Sequence, residues 1–280
     1  MTDKYTGPVH GIERYAVVGN PIAHSKSPLI HAAFAKQTHQ NLSYERILAP
    51  LDGFAATIND LIAQGYKGVN VTVPFKFEAF SLCCTLSSRA QSAGAVNTLS
   101  FKDNLINGDN TDGAGLIRDI THRLGHILHN KRVLLLGAGG AAEGVLPPLL
   151  TCGLDSLVIA NRTIDKAERM LSKQIGHLEQ LTASTYANLK NYQFDIVINA
   201  TSTGLTDSAL PIPNSIFAEN CLAYDMMYGR ETSFMAQARS NGAQVADGLG
   251  MLVEQAAEAF YIWRGVRPET KSVIEMMKAL

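Results

Sequence analysis

Val133-Leu-Leu-Leu-Gly-Ala-Gly-Gly-Ala-Ala142 is the stretch that determines the fold of this 280-residue chain. The apolar run predicts a buried strand, and the glycines predict a tight turn into a helix over about residues 141–150. Gly137 permits the turn, Gly139 lets backbone approach a phosphate, and Ala142 allows close helix packing. The free N–H groups of a helix N-terminus attract anions. The stretch therefore predicts a dinucleotide-binding turn, with a turn that binds no ligand as the alternative. Its residues are Gly137, Ala138, Gly139, Gly140 and Ala141.

Strands and helices alternate on both sides of this stretch, which is typical of a mostly parallel sheet covered by helices. Before it, the sequence predicts strands at 15–19, 42–48 and 68–73 and helices at 29–37 and 54–64. After it, strands at 157–160 and 195–200 complete a βαβ domain over residues 113–247, and a helix at 251–264 is expected to fold back on the first domain. We therefore predict an α/β protein of two domains, one of them formed by residues 1–112 and 248–280.

The end of the second βαβ strand indicates which dinucleotide binds. NAD-specific folds usually place a carboxylate about 20 residues after the glycines, where it binds the ribose 2′-hydroxyl. This strand ends instead at Asn161-Arg162-Thr163, and Lys166 follows. Arg162 can form a fork with a 2′-phosphate, and Lys166 adds a second cation. The sequence favours NADP (NADPH) over NAD, although a solvated, charged helix start would look the same.

Lys76 is the first candidate for catalysis. Val69, Val71 and Val73 alternate with polar residues, which predicts a half-buried strand, and Pro74 ends it. A lysine at such a strand end can lie in a cleft and exchange protons with a substrate. The alternative is an ordinary solvated lysine.

Asp112 is the second candidate, because it falls at the junction of the two predicted domains, where clefts commonly form. A carboxylate there could hold a substrate hydroxyl and orient Lys76. Asp112 also precedes the apolar helical pattern of Ala114, Leu116 and Ile117, so it could simply be a helix N-cap. Both interpretations remain open from these residues alone.

Polar side chains in two other segments are candidates for substrate binding. Ser25 and Ser27 flank Lys26 between a predicted strand and helix, with Ser27 as N-cap, and both hydroxyls could face a polyol or a carboxylate. Gln255 stands among apolar residues at helical spacing. A buried amide there needs partners, and a ligand hydroxyl would serve.

Composition excludes several classes of function. The net charge of −1, from 24 basic and 25 acidic residues, gives no field for nucleic acid or an anionic membrane. No signal peptide or membrane span is evident, and the four cysteines lack C-x-x-C spacing, so we expect a cytoplasmic protein with reduced thiols. His122, His126 and His129 could bind a metal from one helix, but a solvated helix face is favoured and no metal site is predicted.

The sequence resembles the shikimate dehydrogenase family in segments that run from the first strand to the last helix in the family's order. The matching segments are Gly19-Asn-Pro-Ile-Ala-His-Ser-Lys-Ser-Pro28, Asn70-Val-Thr-Val-Pro-Phe-Lys76, Ala93-Gly-Ala-Val-Asn-Thr98, Gly108-Asp-Asn-Thr-Asp-Gly113, Gly137-Ala-Gly-Gly-Ala141, Asn161-Arg-Thr163, Asn199-Ala-Thr-Ser202, Tyr224-Asp-Met-Met-Tyr228 and Asp247-Gly-Leu-Gly-Met251. The resemblance implies a substrate domain built from both chain ends, a Rossmann-type NADP-binding domain between them, and a cleft between the two. It implies NADPH-dependent reduction of 3-dehydroshikimate to shikimate.

The resemblance also implies a role for individual residues. Lys76 and Asp112 would be the catalytic pair. The residues that would bind substrate are Ser25, Ser27, Thr72, Asn97, Asp112, Tyr228 and Gln255. The cofactor would lie on the glycine turn, on residues 161–166, on Met226 and on Gly248.

Some features depart from the family or stay open. Lys166 stands where many members have arginine, which keeps the charge but loses the fork, and Ser88 stands where an acidic residue often occurs. About ten residues precede the usual start. A quinate/shikimate dehydrogenase with relaxed use of NAD or NADP is the nearest alternative, and a non-catalytic NADPH-sensing regulator is a more remote one. The sequence leaves a homodimer open.

Overall fold

The computed structural model of the chain describes residues 11–103, 105–174, 180–201 and 209–280, and within these ranges the strands form two six-stranded sheets. The first sheet has the order β2-β1-β3-β5-β6-β4. Its strands are β1 (Glu13–Gly19), β2 (Leu42–Leu48), β3 (Gly68–Val71), β4 (Thr85–Leu86), β5 (Thr98–Lys102) and β6 (Leu105–Asp109). Strand β5 runs antiparallel to β3 and β6, and the other pairings are parallel. This confirms the mostly parallel first sheet.

The second sheet is parallel throughout, with the order β12-β11-β10-β7-β8-β9. Its strands are β7 (Arg132–Leu136), β8 (Ser156–Ala160), β9 (Leu181–Ser184), β10 (Phe194–Asn199), β11 (Phe217–Asp225) and β12 (Gln244–Ala246). Counted from β7, this is the 3-2-1-4-5-6 order of dinucleotide-binding sheets, whose direction of winding reverses between β7 and β10. The predicted βαβ architecture is confirmed.

Helices cover the sheets on both faces. They are α1 (Ser27–Gln37), α2 (Phe54–Ala63), α3 (Lys76–Leu82), α4 (Ser88–Ala93), α5 (Asp112–Arg118), α6 (Gly140–Leu150), α7 (Ile164–Ser172), α8 (Ser233–Ser240), α9 (Leu249–Arg264) and α10 (Lys271–Lys278). Ser27 was predicted as the N-cap of α1, which is wrong by one residue. The carbonyl of Lys26 accepts the first helical hydrogen bonds, so Lys26 is the cap.

Strand β3 differs from its prediction in length and in burial. It ends at Val71 instead of Val73, and all four of its residues are buried, so it is not half-buried. The cause is its place between β1 and β5, where helices cover both faces and polar Asn70 must find partners inside the sheet. Lys76 therefore does not end the strand; it follows a turn and begins α3.

The apolar run of β7 supplies two cores at once. Val133 and Leu135 belong to a core on one face of the second sheet, and Leu134 and Leu136 belong to the core on the other face. All four side chains are fully buried, and each contributes roughly 1.5–3 kcal/mol of hydrophobic stabilisation. The sheet is thereby held between two helical layers, and the turn after β7 starts from a rigid strand.

Helix α9 connects the second sheet to the first. Phe260 packs edge to face against Phe34 of α1, with ring centroids 5.7 Å apart, and the Trp263 indole donates a hydrogen bond of 3.1 Å to the Leu99 carbonyl of β5. The prediction that this helix folds back on the first sheet is confirmed. The helix begins at Leu249, two residues before the predicted start.

His31 of α1 gives the fold a dependence on pH. Its ring is buried and stacks on Tyr44 with centroids 4.0 Å apart, and neither ring nitrogen has a hydrogen-bond partner among the described residues. Burial lowers the pKa of His31 to about 3. Below the unfolded-state pKa of about 6.5, His31 binds a proton in the unfolded chain but not in the folded one. The free energy of unfolding therefore decreases as pH falls.

We expect His31→Leu to remove this dependence. Between about pH 7.5 and about pH 5, the wild-type chain should lose roughly 2 kcal/mol more unfolding free energy than His31→Leu does. Urea unfolding at the two pH values measures both losses. Equal losses in the two proteins would show that His31 is not a buried neutral group.

Candidate active site

Both sheets direct strand ends toward one cavity of about 530 Å³, a volume typical of small-molecule sites. Every residue predicted to bind substrate lines this cavity, together with two of those predicted to contact cofactor. The predicted residues in the lining are Ser25, Ser27, Thr72, Lys76, Asn97, Asp112, Met226, Tyr228, Gly248 and Gln255. The cavity thus brings together segments that are far apart in sequence.

The direction of three strands explains why these side chains meet. Strands β3 and β6 run the same way and β5 runs against them. Thr72 follows the carboxyl end of β3, Asn97 precedes the amino end of β5, and Asp112 follows the carboxyl end of β6. All three residues therefore lie at one edge of the first sheet, and this edge faces the second sheet.

Lys76 and Asp112 form an ion pair in the cavity. The Lys76 Nζ donates to Asp112 Oδ2 at 2.5 Å, and the two side chains are 22% and 12% exposed. The other carboxylate oxygen, Oδ1, accepts a 2.8 Å hydrogen bond from Asn97 Nδ2. The carboxylate is thus held from two sides, while the ammonium keeps donor capacity toward the cavity. This pair can hold and move a proton at a substrate oxygen.

Asp112 is not a helix N-cap. Thr111 occupies the cap position of α5, and Asp112 is the first helical residue. Its backbone N–H donates to Asn110 Oδ1 at 3.1 Å, so the Asn110 side chain satisfies the free amide at the helix start. The Asp112 carboxylate is therefore free of a capping role and faces Lys76.

Asn97 is fixed by the protein on both ends of its amide. Its Oδ1 accepts from the Thr111 N–H at 2.8 Å, and its Nδ2 donates to Thr111 Oγ1 at 2.9 Å as well as to Asp112.

Gln255 was predicted as a buried amide among apolar residues, but it is only half-buried, because α9 turns this side chain toward the cavity. Its Nε2 donates to the Leu252 carbonyl at 2.8 Å, which orients the amide.

Hydroxyl groups also line the cavity. Ser25 and Ser27 approach each other with Oγ atoms 3.2 Å apart. Tyr228 is half-buried, and burial raises the pKa of its phenol, so the hydroxyl remains a hydrogen-bond donor at neutral pH. These groups suit a ligand with several oxygen atoms.

Asn70 also lines the cavity, and the sequence-based reasoning did not single it out. Tyr44 donates to Asn70 Oδ1 at 2.7 Å, and Asn70 Nδ2 donates to the Asn97 carbonyl at 3.2 Å. The sequence carried a signal for Asn70, because an amide between Val69 and Val71 in a fully buried strand needs polar partners.

The glycine turn has the geometry that a dinucleotide requires. Gly137 has φ of +103°, a left-handed conformation that favours glycine, and its N–H donates to the Ala160 carbonyl at 2.8 Å. A Cβ on Gly139 would meet nothing within 4 Å, and no side chain caps the N-terminus of α6. Ala142 is fully buried in the core that also contains Val133 and Leu135, which agrees with the predicted close packing of the helix. The turn therefore leaves open space beside free amides, which fits a diphosphate.

The next strand end fits a 2′-phosphate. Arg162 and Lys166 are exposed, and neither side chain forms an ion pair within the described part of the chain. Asn161 donates to the Thr163 carbonyl at 2.8 Å, which shapes the turn between them. Two cations beside the glycine turn, with no neighbouring carboxylate bound to them, are the donor set that a phosphate monoester needs.

The buried carboxylate of Asp225 fixes the loop that carries Met226. Asp225 accepts hydrogen bonds from Asn199, Thr232 and the Met227 N–H, and it thereby fixes the loop after β11. A Cβ on Gly248 would lie 2.2 Å from the Met226 carbonyl oxygen, so only glycine fits there. Met226 and Gly248 are thus held together at the cavity wall. Ser202, from the motif that begins at Asn199, lies outside the described residues.

The three histidines do not share a helix face. The helix that begins with α5 ends in a π-helical turn at Arg123, and Gly125 then takes a positive φ, so His126 and His129 lie beyond it. Within the described ranges no group of three or more His, Cys, Asp or Glu residues could hold a metal ion.

The helices of the described ranges include none with the length and apolar composition of a membrane span.

Three family models match the chain in consecutive parts. Residues 17–99 match the shikimate dehydrogenase substrate binding domain, residues 119–206 match shikimate / quinate 5-dehydrogenase, and residues 248–278 match the shikimate 5′-dehydrogenase C-terminal domain. The matched ranges include the cavity-lining residues from Val17 to Asn97 and from Gly248 to Gln255.

Whole proteins match over nearly the full length. The shikimate dehydrogenase (NADP(+)) of Methylobacillus flagellatus is 61% identical, over 96% of this chain and 100% of that protein. The crystal structure of an Ael1 enzyme from Pseudomonas putida is 50% identical, with a TM-score of 0.91, over 94% of this chain and 97% of its own. The shikimate 5-dehydrogenase of Thermus thermophilus, in complex with NADP(H) and shikimate, is 33% identical, with a TM-score of 0.86, over 96% of this chain and 100% of its own.

Proposed function

The chain belongs to the shikimate dehydrogenase family, and from that premise we propose that it reduces 3-dehydroshikimate to shikimate reversibly with NADPH, in the biosynthesis of aromatic amino acids through chorismate. The observation that carries the proposal is the Lys76–Asp112 ion pair, which lies in the wall of the same cavity as Met226 and Gly248. A regulator without catalysis would have no need of a paired proton donor in that cavity.

The reaction adds a hydride to the C3 carbonyl carbon and a proton to the carbonyl oxygen. Bound NADPH supplies the hydride. Negative charge develops on the oxygen as its carbon is reduced, and Lys76 donates a proton from Nζ to that oxygen. Asp112 holds Lys76 in place by the 2.5 Å contact and accepts a hydrogen bond from a substrate hydroxyl. In the oxidation direction, neutral Lys76 takes the proton back.

The remaining polar groups of the cavity would bind the ring substituents of the substrate. Ser25, Ser27 and Tyr228 offer hydroxyl donors, which suit the carboxylate. Thr72, Asn97 and Gln255 suit the ring hydroxyls, and Asn97 also donates a hydrogen bond to Asp112 of the ion pair. Asn97 and Gln255 are already oriented by Thr111 and Leu252, so they lose little conformational freedom when substrate binds.

The cofactor would lie along the carboxyl edge of the second sheet. Gly137, Gly139 and the N-terminus of α6 would hold the diphosphate, and Arg162 with Lys166 would hold the 2′-phosphate. Met226 and Gly248 would flank the reactive end, because they line the substrate cavity. In this assignment residues 113–247 form the NADP-binding domain, residues 1–112 and 248–280 form the substrate domain, and the reduced thiols fit a cytoplasmic enzyme.

Substrate and cofactor preference test the proposal. We expect kcat/KM to be highest for shikimate with NADP+, by at least about tenfold over quinate with NADP+ and over shikimate with NAD+. Steady-state kinetics of the purified chain with all four combinations measures this. Equal values for shikimate and quinate would favour the quinate/shikimate alternative, and no turnover with any combination would favour the regulator.

A further inference from the structure

Phe77 is a large, exposed apolar side chain for which the proposed reaction has no use. It follows Lys76 directly, in the first turn of α3, and its side chain is 52% exposed. Aromatic rings carry a large apolar surface, so a half-exposed one beside a reactive lysine leaves considerable free energy of burial available to a ligand.

The ring of Phe77 lies against the second sheet's glycine turn. A Cβ placed on Gly140 would be 3.8 Å from both Cε2 and Cζ of Phe77, so the ring rests on the first residue of α6. One turn further along the same helix, a Cβ on Gly144 would be 3.4 Å from Asp112 Oδ2. Residues four apart share a helix face, so one face of α6 meets both Phe77 and the catalytic carboxylate.

The N-terminus of α6 is where the diphosphate of the cofactor would bind, and Phe77 stands beside it. We propose that Phe77 is a cofactor-binding residue supplied by the substrate half of the molecule, and that its ring packs on NADP(H) where the dinucleotide passes the start of α6. The inference rests on the proposed function, because it takes NADP(H) as the ligand of the glycine turn.

Two effects follow from this contact. The ring excludes water from one side of the helix N-terminus, which strengthens the interaction between the backbone amides and a phosphate. Bound cofactor also restrains the first turn of α3, which holds Lys76. Cofactor affinity therefore depends on a residue outside the βαβ domain.

Phe77→Ala tests the proposal, with Leu51→Ala as the matched control. Leu51 is also an exposed apolar residue, at 69%, but it does not approach Gly140 at the start of α6. We expect the Kd for NADPH, measured by titration of nicotinamide fluorescence without substrate, to rise about fivefold to tenfold in Phe77→Ala. Leu51→Ala should bind NADPH as the wild type does, and Phe77→Leu should lie between wild type and Phe77→Ala.

The Kd for shikimate, measured by calorimetry without cofactor, separates this effect from a loss of fold. It should stay within about twofold of the wild-type value in Phe77→Ala, because the ring is not part of the cavity lining. An unchanged Kd for NADPH, or a parallel loss of affinity for NADPH and shikimate, would overturn the inference. Failure of the wild-type chain to bind NADPH would instead refute the proposed function.

Discussion

Lys76→Ala should lower kcat for shikimate oxidation by roughly 10²- to 10⁴-fold at neutral pH, with a much smaller change in KM. The reason is that Lys76 accepts the proton of the substrate hydroxyl only as the carbon is oxidised. In the ground state the substrate oxygen belongs to a neutral hydroxyl or carbonyl, so the loss of Lys76 costs little binding. Steady-state kinetics with shikimate and NADP+ measures the separation of kcat from KM.

Two further variants identify what Lys76 contributes. Lys102→Ala removes an equal charge at an exposed position on β5 and should leave kcat unchanged. Lys76→Arg keeps a positive charge beside Asp112, but a guanidinium does not release its proton, so this variant should stay nearly as slow as Lys76→Ala. Full activity in Lys76→Arg would reduce the role of Lys76 to that of a fixed charge.

Arg162→Ala should raise the KM for NADPH by about tenfold to a hundredfold and leave the KM for NADH nearly unchanged. The guanidinium would donate two charge-assisted hydrogen bonds to the 2′-phosphate, which NADH lacks. Arg162 is exposed and forms no ion pair within the described residues, so its removal should not disturb the fold.

Arg169→Ala provides the matched control for Arg162. Arg169 is an exposed arginine in the last turn of α7, seven residues beyond Arg162, and its removal changes the net charge equally. It should change both KM values by less than about twofold, because screening weakens a charge at that distance. Equal rises in the KM values for NADPH and NADH in Arg162→Ala would mean that Arg162 stabilises the turn and does not bind the 2′-phosphate.

Local signals allowed strands β7, β8 and β10 of the second sheet to be predicted, whereas β9, β11 and β12 were not predicted. The apolar run Val133–Leu136 and the glycines after it dictate a buried strand and a turn, and each signal lies within ten residues of sequence. Position within a parallel sheet then follows from the handedness of βαβ units. The predicted strand ends at Leu136, Ala160 and Ala200 agree with the structure to within one residue.

Half of the strands of the first sheet were also not predicted. Strands β4, β5 and β6 were not predicted, since the β6 sequence Leu105–Asp109 is polar and lacks the alternation of a strand. Its register against β5 is what carries Asp112 to Lys76, 36 residues away in sequence. From the residues alone, the pairing of Lys76 with Asp112 was one of two open interpretations, and the family resemblance favoured it. The structure supplies the distance.

The most direct test of the central claim, that Lys76 delivers the proton at the reacting oxygen, is a single-turnover measurement. Excess enzyme, saturated with 3-dehydroshikimate, is mixed with NADPH, and oxidation of the dinucleotide is followed in wild type and Lys76→Ala. We predict that the rate of this chemical step falls by at least about 10²-fold in Lys76→Ala at neutral pH. A rate equal to that of the wild type would contradict the assignment of Lys76 as proton donor.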